Sequence, residues 1–262
     1  MRIAPLALSA ALAIPATGPA AAQDLRDFCA QRPGKATPPC ILDAGHLQVE
    51  AGLADAVFQR GDGVHEDTYA LGATELRLGF SRRVELEAAW TPSVIDQTRG
   101  SPRRSGTGDA SLAVLAALTD PDKMGPAAAA QAFVTLPTAT HGLGAGGWTG
   151  GVRLPIATPL ADGVSLGLTP EIDLLRNAGG RGVHAAWTGV ASLGRGFGPV
   201  SLGAELWGQV EEEPAGTIRR ASADLTGAVL VGKALQLDAG ANFGLNRQTP
   251  GLELYVGASR RF

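Results

Sequence analysis

The sequence is poor in charge, in aromatic residues and in cysteine. Charged residues make up 18% of the 262 residues, aromatic residues 5%, and the formal net charge is −3. The absence of a basic excess argues against a nucleic-acid-binding protein. Glycine is abundant, at 36 residues, but it lacks the every-third spacing of collagen. Beyond the N-terminus, no apolar run reaches the roughly 20 residues that a transmembrane helix needs.

The first residues have the features of an export signal. Arg2 precedes an apolar run, and Ala20–Ala22 end it before Gln23. A cation, an apolar stretch and a small-residue cleavage site predict a signal peptide over 1–22. The alternative, an N-terminal membrane anchor, is disfavoured because prolines interrupt the run and it is too short to span.

Only two cysteines are present, Cys29 and Cys40. Because an exported chain reaches an oxidising compartment, we expect them to form a disulfide within an N-terminal periplasmic segment, residues 23–43. A reactive thiol or a metal pair is the alternative, and the chain has no further cysteine to complete a metal site.

From residue 44 onward, apolar and polar residues alternate with a period of two. In the stretch 235–246, Leu235, Leu237 and Phe243 share one parity, and Asp238 and Asn242 share the other. This period predicts strands with one apolar and one polar face. About twelve such runs are expected, near 45–58, 67–80, 83–92, 108–118, 127–137, 148–158, 163–175, 183–194, 199–210, 218–231, 234–245 and 251–262.

Two of these runs, 110–118 and 126–134, are rich in alanine, and helix propensity alone favours a helical hairpin there. Their length and spacing match the neighbouring runs, so we predict strands. The connections alternate between short turns, such as 81–83, 160–163 and 232–233, and longer polar loops, predicted at 60–67, 93–108, 138–147, 177–182 and 211–218.

Two folds accommodate a dozen amphipathic antiparallel strands: a soluble sandwich or propeller, and a transmembrane barrel. The predicted strands are longer than those of globular sheets, and their polar faces carry charges in mid-strand. Without transmembrane helices, a spanning chain requires a closed barrel. We therefore predict an all-β, up-and-down antiparallel transmembrane barrel of the bacterial outer-membrane type over residues 44–262, with short periplasmic turns and long extracellular loops.

On the polar faces, charged residues and one tryptophan are expected to line the lumen, to brace its wall and to set its selectivity. The acid excess favours cations or neutral solutes over anions. These lumen candidates are Glu50, Glu75, Arg77, Glu85, Glu87, Arg153, Glu171, Asp173, Glu205, Trp207, Asp224 and Asp238.

Several stretches resemble the outer-membrane transporter family named for the MetA pathway of phenol degradation. They are "DFCAQRPGKATPPCILDAGHLQVEAGLAD" (27–55), "GTGDASLAV" (106–114), "LTPEIDLL" (168–175) and "ANFGLNRQTPGLELYVGASRRF" (241–262). The resemblance implies a barrel that passes small aromatic or apolar compounds. It carries no catalytic or binding residues over to this chain.

The last strand also resembles the signal that the outer-membrane barrel assembly machinery recognises. Tyr255, Gly257 and the aromatic Phe262 fit that pattern, and Arg260 departs from it. The seam of the barrel is expected where this strand pairs with the first, near 47–53, which removes both sheet edges.

The sequence therefore predicts an outer-membrane channel for passive passage of a small molecule. The alternatives are a structural or surface-interaction barrel and, less favoured, a lipid hydrolase, since no histidine has a serine at the spacing of outer-membrane phospholipases. No catalytic residue, cofactor or metal is predicted. The expected partners are outer-membrane lipid and lipopolysaccharide, the assembly machinery and a small solute, with no nucleic acid. The basic stretch 99–106 is interpreted first as a solvated loop, and the alternative is a contact with lipopolysaccharide phosphates through Arg99, Arg103 and Arg104. The solute and the oligomeric state stay open.

Overall fold

The computed structural model describes residues 25–61 and 63–262, so the predicted signal peptide lies outside the described residues. Within them the regular structure consists of strands, and no helix long and apolar enough to cross a membrane is present. The strands are β1 (Leu47–Gly61), β2 (Val64–Gly79), β3 (Val84–Trp90), β4 (Ser93–Thr98), β5 (Arg104–Gly106), β6 (Ala110–Ala117), β7 (Ala127–Leu136), β8 (Thr149–Arg153), β9 (Ile156–Pro159), β10 (Val164–Arg176), β11 (Val183–Phe197), β12 (Val200–Glu211), β13 (Ile218–Val231), β14 (Leu235–Gly244) and β15 (Leu252–Arg261).

These segments form one closed antiparallel barrel of 12 spanning strands. Three spanning strands are each built from two segments: β3 with β4, β5 with β6, and β8 with β9. Their shared partners show this, since β3 and β4 both pair with β2, and β8 and β9 both pair with β10. The backbone breaks at Pro92 and Pro155, as expected for a residue that cannot donate a ladder hydrogen bond.

The barrel closes where β15 pairs with β1, from Gln48 opposite Arg261 to Phe58 opposite Leu252. This confirms the predicted seam. A register shift between Gly52 and Ala54 marks a bulge. Before the bulge the even-numbered residues of β1 face the lumen, and after it the odd-numbered residues do. Asp55 thereby follows Glu50 and Gly52 on the inner face.

The two faces of the wall are inverted relative to a soluble protein. In β12 and β13, Leu206 and Leu225 are 61% and 57% exposed, whereas the adjacent Glu205 and Asp224 are 7% and 2% exposed. Apolar side chains therefore form the outer surface and polar side chains fill the interior, as a lipid-facing barrel requires. The predicted fold class is confirmed, and a sandwich with an apolar core is excluded.

The two ends of the barrel differ. The short-turn end carries the turns at 80–83, 118–126, 160–163, 198–199 and 232–234, and the long-loop end carries the loops at 137–148, 177–182, 212–217 and 245–251. The Ala-rich runs are strands β6 and β7, as predicted. The loop predicted at 60–67 is wrong: β1 continues to Gly61 and β2 begins at Val64. The loop predicted at 93–108 contains β4 and β5, because the chain resumes its pairing after Pro92.

Candidate functional site

Residues 25–43 enter the lumen from the short-turn end, and we call this segment the plug. Cys29 and Cys40 form the predicted disulfide, with Cα atoms 6.5 Å apart. Hydrogen bonds and ion pairs join the plug to the inner faces of β1, β2, β3, β8, β10, β12, β13 and β14. The segment that the sequence placed in the periplasm thus crosses the interior of the barrel. The predicted division of the chain at residues 22 and 43 stays a prediction.

The Arg77 guanidinium joins three wall strands to the plug. It lies 2.7 Å from Glu50 of β1 and 2.5 Å from Glu85 of β3, and it donates a 2.9 Å hydrogen bond to the carbonyl of Cys29. All three charged side chains are fully buried. Glu50 also accepts from the backbone N–H groups of Gln31 and Arg32, both of the plug. This network holds one side of the disulfide loop against the wall.

Arg32 of the plug reaches β14 and β15, the strands on the other side of β1 from β2. Its guanidinium lies 3.0 Å from Asp238 of β14 and 5.8 Å from the centre of the Tyr255 ring. A Cβ on Gly257 would stand 2.4 Å from Nε of Arg32. A side chain at residue 257 would therefore force the Arg32 guanidinium to move away from β15.

Lys35 lies over the middle of β12 and β13. Its Nζ is 4.8 Å from the centre of the Trp207 ring, 3.3 Å from Asp224 and 2.8 Å from the Ser222 hydroxyl. Glu205 accepts hydrogen bonds from the backbone N–H groups of Lys35 and Ala36, at 2.7 and 3.3 Å. The plug backbone is therefore fixed at mid-barrel by a carboxylate that the wall supplies.

Thr37 completes the crossing on the far side. Its hydroxyl accepts a hydrogen bond from Arg153 of β8 at 3.2 Å, and its carbonyl accepts one from Thr169 of β10. Arg153 also pairs with Glu171 at 3.0 Å and lies 4.6 Å from the centre of the Phe133 ring. From Arg32 to Thr37, six consecutive residues thus connect opposite walls of the barrel.

The remaining lumen candidates also lie on the inner face. Glu75 stands opposite Glu50 in the β1–β2 register, and Glu87 accepts a 2.7 Å hydrogen bond from Gln31 of the plug. Asp173 is buried near Thr188 of β11. The structure therefore brings the predicted charges together mainly as anchors for the plug.

The plug is also fastened at the short-turn end. Arg26 and Arg82 both hydrogen-bond Asp122 of the turn at 118–126, at 2.7 and 2.6 Å. These hydrogen bonds lower the pKa of the Asp122 carboxyl, and the bond to Asp122 raises the pKa of Arg82. A small apolar contact adds to this, since Ile41 packs with Leu115, Ala117 and Ala129.

Space remains between the plug and one side of the wall. A cavity of about 240 Å³ lies between plug residues 30–39 and the short-turn halves of β9–β13. Its wall side combines Ile156, three leucines and Glu205 with many small and hydroxyl-bearing residues. The latter include Gly167, Ser192, Gly194, Ser201, Gly203 and Thr226. The plug contacts at Lys35–Glu205 and Thr37–Thr169 bound this cavity toward the long-loop end.

Of the predicted assembly signal, the structure places Tyr255 and Gly257 inside, against Arg32, and Phe262 outside with its side chain 60% exposed. Sequence reasoning missed Arg32, Lys35 and Thr37, because the plug has no strand periodicity. The sequence did contain one signal for them: Arg32 and Lys35 are two cations close to Gly34 in a chain with a net negative charge.

Within the described residues, the partners of His184 include no serine hydroxyl. His184 lies 2.9 Å from the Asn177 side chain and 3.1 Å from Glu213, both near the long-loop end. Among the described residues, no group of three or more His, Cys, Asp and Glu side chains is arranged to hold a metal ion.

Comparisons with known proteins agree with this architecture. The family described as "Putative MetA-pathway of phenol degradation" matches residues 30–262. No curated protein matches the sequence closely enough to count as a relative.

Solved structures with similar folds include a porin and the β domains of two autotransporters. The translocator domain of the autotransporter NalP from Neisseria meningitidis has a TM-score of 0.52 at 15% identity, covering 84% of this chain and 90% of that one. The β domain of the Bordetella autotransporter BrkA also has a TM-score of 0.52, at 13% identity over 83% and 99%. The NanC porin has a TM-score of 0.51 at 7% identity over 82% and 98%. At these identities the likeness concerns the fold.

Proposed function

The chain belongs to the family described by the MetA pathway of phenol degradation, and from that premise we propose that it is an outer-membrane channel for passive passage of a small aromatic or apolar solute. The observation that carries the proposal is a closed barrel with an apolar exterior, a polar interior and a cavity of about 240 Å³ beside the plug. A barrel of 12 strands lies between filled eight-stranded barrels and open porins.

The location is part of the proposal. An export signal over 1–22 delivers the chain, the short-turn end faces the periplasm and the long loops face outward. Of the arginines proposed to contact lipopolysaccharide, Arg104 pairs with Asp96 at 2.6 Å, which leaves Arg99 and Arg103 as the phosphate contacts.

One observation favours a second candidate, a structural or surface-interaction barrel without transport. The plug crosses the lumen between opposite walls at Arg32–Thr37, so the passage past it is narrow. An enzyme is the least supported candidate, because the partners of His184 within the described residues are Asn177, Glu211 and Glu213, and none of them is a serine nucleophile.

Planar-bilayer recordings of the refolded protein discriminate between these functions. We expect stepwise currents from the wild type and larger steps from the Cys29→Ser, Cys40→Ser double variant, whose plug loop is no longer closed. Silence from both proteins would contradict a channel and favour the structural barrel. Lipid hydrolysis by the same sample would favour the enzyme.

A further inference from the structure

Three inward-facing aromatic rings share one arrangement: each ring holds a cation that is also paired with a wall carboxylate. Lys35 lies between Trp207 and Asp224, Arg32 between Tyr255 and Asp238, and Arg153 between Phe133 and Glu171. In the first two cases the cation comes from the plug and the ring and carboxylate come from the wall. The wall alone therefore presents two sites, each with a π face and a negative charge.

The Lys35 site has the clearest geometry. The Asp224 side chain is 0% exposed, whereas the Lys35 side chain is 27% exposed. Lys35 is held by one ion pair of 3.3 Å, a hydrogen bond to Ser222 and the Trp207 ring. Oδ1 of Asp224 is buried without a hydrogen-bond partner among the described residues. The carboxylate thus has acceptor capacity that Lys35 does not use.

The chemistry of this site is that of ammonium recognition. A cation over an indole ring is attracted by the ring quadrupole, and aromatic surfaces are used to bind organic ammonium ions. A neighbouring buried carboxylate adds charge, and Coulomb attraction is stronger in a site shielded from water. A neutral or anionic solute gains neither contribution.

We propose that Trp207, Asp224 and Ser222 form a binding site for a small organic ammonium ion on the solute path, and that Lys35 of the plug occupies this site in the resting channel. The proposal rests on the proposed channel function and narrows its solute to one that carries an ammonium group on its aromatic or apolar part. A solute ammonium replaces the Lys35 ammonium at the ring and carboxylate, and no covalent bond changes. Since Lys35 is tethered by the disulfide loop, it competes at a high effective concentration.

Removing the Lys35 side chain should leave the site open to an ammonium ion from solution. In Lys35→Ala, n-butylammonium can take the place of the missing lysine side chain, because it has the same four-carbon chain and ammonium group. Tetramethylammonium tests whether a cation without N–H donors is still bound. The neutral n-butanol is the uncharged probe. The matched control is Lys233→Ala, which removes an exposed lysine from a short turn outside the lumen.

Calorimetric titration of the refolded barrels measures binding independently of any current. We expect n-butylammonium to bind Lys35→Ala at least tenfold more tightly than it binds the wild type or Lys233→Ala. We also expect n-butanol to show no such gain and Lys35→Ala with Asp224→Asn to lose the gain. Equal binding to wild type and Lys35→Ala, or a gain that survives Asp224→Asn, would overturn the proposal.

Bilayer recordings then separate this proposal from the channel function. We expect Lys35→Ala to shift the reversal potential toward greater cation selectivity and n-butylammonium to block its current. Currents that are identical in Lys35→Ala and Lys233→Ala would overturn the placement of the site on the solute path while leaving the channel function intact. If no protein conducts, the channel function fails, and the calorimetric result alone decides whether the ammonium site exists.

Discussion

Replacing Arg77 by methionine tests the network that joins the wall to the plug. The substitution removes a fully buried guanidinium that serves Glu50, Glu85 and the Cys29 carbonyl. Methionine keeps much of the side-chain volume, so the change is mainly one of charge and hydrogen bonding. Breaking a buried ion pair from one side costs about 3–5 kcal/mol, because the remaining charge is left uncompensated.

Glu50 and Glu85 differ in how many hydrogen-bond donors they keep once Arg77 is removed. Glu50 keeps donors from Gln31, Arg32 and Gln48 after Arg77 is removed. Glu85 keeps only the 2.7 Å bond from the Leu42 N–H among its recorded donors. We therefore expect a loss near the lower end, about 3 kcal/mol, and partial recovery in Arg77→Met with Glu85→Gln.

Urea unfolding in lipid vesicles, followed by tryptophan fluorescence, measures the free energy of unfolding. The control is Arg83→Met, at an exposed turn position outside the lumen. A loss below about 1 kcal/mol in Arg77→Met, or one equal to that of the control, would refute the buried-pair argument. Failure of Glu85→Gln to recover stability would show that the cost does not come from the uncompensated carboxylate.

Three further predictions concern other parts of the chain. In Gly257→Val the new Cβ would stand 2.4 Å from Nε of Arg32, so we expect faster hydrogen exchange in the plug and larger channel currents. The control is Gly189→Val, whose Cβ has no atom within 4 Å, and it should show neither effect. Because Arg26 and Arg82 lower the pKa of Asp122, their contact should persist above its ordinary value of 3.8 and be lost as the pH falls below it. Hydrogen exchange at 120–123, corrected for the intrinsic rate, should therefore rise only in acid. Deleting Phe262 should lower the amount of barrel in the outer membrane without lowering refolding yield in vitro; normal surface levels would contradict an assembly signal.

The wall was predictable because its pattern is a direct consequence of its two environments. Residues such as Leu237 and Asp238 alternate with a period of two, since one face meets lipid and the other meets the lumen. The same alternation predicted that the side chains of Glu205, Asp224 and Trp207 face the lumen. Prediction was weaker where the backbone departs from that period. One such place is the bulge at Leu53. The other is Pro92, where the sequence pattern predicted the end of the strand but β4 continues the pairing with β2.

The plug was not predictable from periodicity. Residues 25–43 have no strand in the structure, and their position depends on tertiary ion pairs between Arg32 or Lys35 and wall carboxylates that are distant in sequence. Sequence alone showed the disulfide and an acidic lumen. It did not show that Arg32 and Lys35 of the N-terminal segment pair with wall carboxylates, in addition to the arginines of the wall itself.

A channel requires that the polar inner face of the barrel line the conducting path. The most direct measurement is single-channel current from two adjacent cysteine variants, Gln209→Cys on the inner face and Val210→Cys on the outer face. We expect a charged thiol reagent to reduce the current through Gln209→Cys and to leave the current through Val210→Cys unchanged. Equal effects on both variants, or no effect on Gln209→Cys, would contradict this requirement.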